Sequence, residues 1–121
     1  MCTLRLYCVT VLFFLLVHPM ILSDAQASCD SIRCISKVKS IYATGKANGE
    51  IYIEPDEDSI STLNCNAVGE QYVTLHHSHK NYTEILAIIN LALMANKTIN
   101  MRIVENTDDC TIDYVMLYSY Q

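Results

Sequence analysis

The sequence predicts a mainly β domain with one helix, an α+β chain in the order β-β-β-α-β-β. Two observations carry most of this. Apolar and polar side chains alternate strictly at Glu50-Ile51-Tyr52-Ile53-Glu54 and again from Ile99 onward, and between these segments lies a helix-length apolar stretch from Ile85 to Ala95, interrupted only at Asn90. A side-chain period of two marks a strand, and broad apolar coverage over about three turns marks a packed helix. Composition agrees with a single small domain. The 121 residues are 51% hydrophobic and 17% charged, with two Pro and no Trp, which excludes a disordered tail, a collagen-like repeat and a multidomain protein.

Residues 1–27 read as a secretory signal peptide rather than as structure. Arg5 supplies the early positive charge, Val9 to Val17 the apolar run, and Ala25-Gln26-Ala27 the small-residue cleavage site. A lipoprotein signal acting on Cys29 is disfavoured, because no Leu stands three positions upstream of it. A membrane anchor is disfavoured because the apolar run is short and breaks at His18-Pro19. The expected mature domain is 28–121, exported to a secreted or periplasmic location.

Loss of Arg5 and Asp24 leaves the formal charge at −5, so neither nucleic acid nor anionic lipid is an expected partner. A domain this short hides a modest fraction of its unfolded surface and gains from covalent bracing. Cys29, Cys34, Cys65 and Cys110 form an even set, read as two disulfides. Four cysteines allow three pairings. The preferred one joins Cys29 to Cys34 and Cys65 to Cys110, since the longer loop would contribute about 4 kcal/mol through chain entropy. Zinc fits C-x4-C plus two isolated cysteines poorly.

The first strand spans Ile35 to Tyr42, where β-branched and aromatic residues dominate. Gly45 and Asn48-Gly49 turn the chain into the second strand, with Ile51 and Ile53 toward the core and Glu50, Tyr52 and Glu54 outward. Pro55 ends it, and Asp56-Glu57-Asp58 begins a solvated loop that lacks the ligand spacing of a calcium loop. Gln71 to His77 alternates as a third strand. Asn81 then caps a helix, with Glu84 placed to complete a capping box, and Asn96 is suited to the left-handed stop. Apolar side chains wrap most of this helix, so both its own sheet and a neighbouring subunit are expected to cover it. Ile99, Met101 and Ile103 face inward on the fourth strand. The fifth, Thr111 to Tyr120, places Ile112, Tyr114, Met116 and Tyr118 on one face and Val115 and Leu117 on the other. Five strands with a helix between the third and fourth is the order of an OB-fold, a small five-stranded barrel. An open α+β sheet shares that order.

The segment Ile85 to Ala95, Asn96-Lys97-Thr98-Ile99-Asn100-Met101-Arg102-Ile103, then Cys110 and Ile112 to Tyr118, resembles the ending of secreted B subunits of the subtilase cytotoxin and pertussis-like toxins. Gly49 to Glu54 and Ser59 to Cys65 are similar to their second strand and serine-rich, cysteine-ending loop. The resemblance covers most of the mature chain and implies a non-catalytic OB-fold subunit that forms a ring, typically a pentamer, binds a host glycan or glycoprotein, and can accompany an enzymatic A subunit. It carries over no sugar-contacting residue. A monomeric secreted or periplasmic inhibitor or scaffold that binds another protein is the alternative.

Glu50, Tyr52 and Glu54 are the candidate glycan contacts, because an aromatic face flanked by carboxylates suits sugar C–H groups and hydroxyls. The competing explanation is a packed Tyr52 beside solvated glutamates. Glu50 and Glu54 lie about 13 Å apart along a strand, too far for a glycosidase pair. No catalytic motif, cofactor motif or unpaired nucleophilic cysteine is expected in the mature chain. His76, His77 and His79 lack the carboxylate or fourth ligand that a metal site needs, so they read as a polar strand end. Asn81-Tyr82-Thr83 and Asn96-Lys97-Thr98 match the glycosylation sequon, although both asparagines have helix-end roles.

Overall fold

A computed structural model describes residues 27–46 and 48–118. The expected signal peptide, Ala27 apart, and the last residues of the fifth expected strand lie outside the described residues. The chain is mainly β with one helix, as the patterning predicts. Among the described residues, seven strands form two antiparallel sheets: β1 (Ser28–Cys29), β2 (Arg33–Ser36), β6 (Ile99–Ile103) and β7 (Ile112–Leu117) in the order β1-β2-β6-β7, and β3 (Val38–Ala43), β4 (Ile51–Pro55) and β5 (Val73–Leu75) in the order β3-β4-β5. The expected closed five-stranded barrel is not what forms.

The expected first strand is one extended segment broken at Lys37. Its first half pairs with β6 and its second half with β4, so it passes from one sheet into the other. The register slips between Val38 and Ser40, which bends the segment at the crossing. On the opposite side the sheets meet through one parallel bridge, Thr74 with Thr111, where the Thr74 amide donates to Cys110 O at 3.1 Å.

Strand β1 lies outside the expected pattern. It exists because Asp30 Oδ1 accepts from the amides of Ile32 (2.8 Å) and Arg33 (3.0 Å), folding the chain back so that Cys29 lies opposite Cys34. The disulfides are Cys29–Cys34 and Cys65–Cys110, the preferred pairing.

Helix α1 (Tyr82–Ala95) buries Ile85, Ile89 and Ala92 against the core, at the spacing of one helical face. The expected capping box does not form: the Asn81 side chain makes no cap bond, and the Asn81 amide instead donates to His79 Nδ1 at 3.1 Å. A tight turn closed by the His79 amide on His76 O supplies the helix start. The stop is as expected. Asn96 takes φ 52°, ψ 43°, and Lys97 N donates to Ala92 O at 2.9 Å.

Strand β7 departs from strict alternation. Arg102 pairs with Tyr114, but Ile103 pairs with Ile112, leaving Asp113 as an extra residue. The bulge turns Ile112 inward beside Val115, whereas Tyr114, Met116 and Tyr118 face outward. The expectation that Ile112 shares their face is therefore corrected.

Candidate functional site

Strand β4 positions the candidate side chains by alternation. Ile53 is fully buried in the core, while Glu50, Tyr52 and Glu54 occupy the other face. Cross-strand pairing brings Tyr42 and Thr74 level with Tyr52 on either side. The Tyr52 ring lies 6.1 Å from Tyr42 and 5.9 Å from Tyr72, with the latter stacked, and Lys46 Nζ sits 5.4 Å above it. Tyr52 is thus only 7% exposed although it points away from the core. Tyr42, at 56% exposure, offers the open aromatic surface of this trio.

The structure brings Glu50 and Tyr52 together and holds Glu54 apart. Tyr52 Oη donates to Glu50 Oε2 at 3.0 Å and accepts from Lys46 Nζ at 2.7 Å, and Lys46 Nζ is 3.5 Å from the same carboxylate oxygen. The hydrogen bond to Tyr52, and then the charges nearby, hold the Lys46 ammonium above its usual range. At the other end of β4, Glu54 accepts from Lys39 Nζ at 2.6 Å and Ser40 Oγ at 2.8 Å. Those bonds, the one from Lys39 first, keep its carboxyl below the usual carboxylate range despite partial desolvation.

The three histidines diverge. His76 Nε2 is 2.6 Å from Asp109 Oδ2, and its Nδ1 is 3.9 Å from Glu50 Oε1. His77 meets the Tyr82 ring edge-on at 4.7 Å, and its Cβ side packs where Gly49, at φ +63°, leaves room for it. His79 Nε2 bonds Asp113 O at 2.9 Å. Among the described residues no three His, Cys, Asp or Glu side chains are grouped to hold a metal. Asp109 is fixed in turn by Thr111 Oγ1, which donates to its Oδ1 at 2.6 Å.

Lys46, Tyr42, Tyr72, His76 and Asp109 complete a site of which the sequence singled out Glu50 and Tyr52. Register did not reveal Tyr42 in advance: a two-residue turn at Asn48-Gly49 would set it opposite Pro55, whereas the longer connection that forms sets it opposite Tyr52. Nothing local points to Asp109, which arrives on the loop between β6 and β7.

Two other surfaces stand out. Leu91 and Met94 on α1 are 55% and 87% exposed, and Tyr114 and Met116 on β7, with Tyr118 just past its end, form an exposed apolar stripe; α1 packs against the same strand. Beside Glu54, a shallow cavity of about 190 Å³ is lined by Asp56, Glu57, Asp58 and Glu70, with Lys39 the cation present. No helix among the described residues is long and apolar enough to cross a membrane. No family model, curated protein or solved structure matches the chain.

Proposed function

We propose that the protein is a non-catalytic, exported binding subunit of OB-fold-like architecture that assembles as a ring of identical copies and binds a host glycan or glycoprotein. The carrying observation is the helix. Ile85, Ile89 and Ala92 are buried in the subunit, yet Leu91 and Met94 stand in solvent on its far side. Water contact with that surface is unfavourable by about 25 cal/mol per Å², and burial against a second copy would relieve it. The OB-like reading draws on the Arg33–Ala43 segment shared by both sheets, the parallel Thr74–Thr111 bridge, and a helix between β5 and β6.

Glycan binding draws on Tyr42 as an exposed aromatic face packed on Tyr52, which in turn bonds Glu50 and Lys46. An enzymatic A subunit is a further partner that such a ring accommodates. The two disulfides suit an oxidising, extracytoplasmic setting.

Native mass measurement of the oxidised 28–121 protein, with a glycan-array screen, tests the proposal. A closed oligomer that Leu91→Glu or Met94→Glu reduces to monomers, together with retained sugars, is expected. A monomer that retains no sugar overturns it and favours a protein-binding inhibitor or scaffold using the Tyr114, Met116 and Tyr118 stripe.

A further inference from the structure

The sequon Asn81-Tyr82-Thr83 straddles the start of helix α1, where sequence pattern gives Asn81 a capping role. The structure releases it from that role. The Asn81 side chain makes no cap bond, and the turn before the helix is held by other groups. The Asn81 amide donates to His79 Nδ1 at 3.1 Å, and the Tyr82 amide donates to His79 O at 3.0 Å. A capping asparagine normally engages the first-turn amides through its side-chain oxygen, so substituting its nitrogen would disturb the cap. Here no such bond stands to be disturbed.

The three sequon residues are sorted by burial as a modified surface site requires. Asn81 and Thr83 are exposed, whereas Tyr82 between them is half-buried, packed on the core and edge-on to His77 at 4.7 Å. Ser78, Lys80 and Glu84 nearby are exposed as well. An oligosaccharide on Asn81 therefore leaves directly into solvent and displaces no packed side chain. At roughly 1.5 Å per residue, Leu91 and Met94 lie about 15 to 20 Å further along the helix axis. A glycan on Asn81 thus leaves that face open to a second copy. Asn96, in the other sequon, ends the helix two residues past the exposed Met94, and a glycan there would crowd the same face.

We propose that Asn81 is a modification site that carries an N-linked oligosaccharide. The donor class is a lipid-linked oligosaccharide pyrophosphate. A bond forms between Asn81 Nδ2 and the anomeric carbon, the bond from that carbon to the pyrophosphate oxygen breaks, Nδ2 gives up one proton and the lipid pyrophosphate leaves. The Thr83 hydroxyl is what the transferring enzyme reads two residues on, so Thr83 is a recognition residue that does not itself react. The two disulfides suit passage through the oxidising secretory compartment in which such donors are used.

The test secretes the full chain from cultured mammalian cells and purifies it from cells and medium alike. Digestion with peptide-N-glycosidase in heavy-oxygen water converts each glycosylated asparagine to a labelled aspartate, which fragment-ion sequencing of the tryptic peptide locates. Label at position 81 is expected, lost entirely in Asn81→Gln and Thr83→Ala and retained in Thr83→Ser. An unlabelled Asn81 overturns the proposal, whatever the state of Asn96, and so does label that survives Thr83→Ala. Should a variant fail to fold, mapping of the unaltered chain decides alone. None of these outcomes bears on the ring or on sugar binding, which the native mass and glycan-array measurements judge separately.

Discussion

His76 Nε2 and Asp109 Oδ2 meet at 2.6 Å, tying the end of β5 to the loop that leads into β7. This contact is a side-chain clasp across the side where the two sheets share a single backbone bridge. Replacing His76 with Ala removes it and leaves Asp109 held by Thr111 alone. The expected loss is about 1 kcal/mol in urea unfolding, with earlier amide exchange in the β6–β7 loop. An unchanged midpoint and exchange pattern would show that the clasp contributes nothing.

Glu54 sets a pH dependence of known sign. Its carboxyl titrates below the usual range in the folded state because Lys39 and Ser40 bond the ionised form. The associated stability is therefore fully present above the unfolded-state value near 4.5 and is lost as pH falls through the folded-state value. Glu54→Gln should unfold more easily than the parent near neutrality and converge with it in acid. A difference that persists at low pH would point to packing instead of charge.

The two disulfides should differ in worth. Cys65–Cys110 spans 45 residues and Cys29–Cys34 spans 5. On the chain-entropy account, Ser replacement of the first pair costs about 4 kcal/mol and of the second about 2 kcal/mol. Thermal unfolding of the two double variants checks the order; the reverse order would count against the entropic account here.

Asn96 ends the helix in the left-handed region at φ 52°. Asn96→Gly should be tolerated, whereas Asn96→Val should destabilise the fold by about 1–2 kcal/mol because its branched Cβ meets the carbonyl in that conformation. Circular dichroism melts of both variants decide, and equal melts would be the contrary result.

Local pattern made several elements readable in advance. Ile51 and Ile53 alternate with polar neighbours and mark β4, Asn96 marks the helix end, and the spacing of Cys65 and Cys110 favoured their pairing. Tertiary geometry hid the rest. One inserted residue at Asp113 reverses the facing of Ile112, which no alternation rule reveals. The missing capping box at Asn81 reflects competition from His79, whose ring reached the same amide. Glu50 and Tyr52 were visible as a carboxylate and an aromatic on one strand face. Burial of Tyr52 was not, because its cover comes from Tyr42 and Tyr72 on flanking strands. Asp109 reached the site through loop geometry alone.

The Arg33–Ala43 segment makes the molecule lopsided in how it breathes. One seam between the layers is continuous covalent chain; the other is a lone rung at Thr74 and Thr111. Transient opening should begin at that rung and swing about Lys37, with the His76–Asp109 contact resisting it, since that pair spans the same gap.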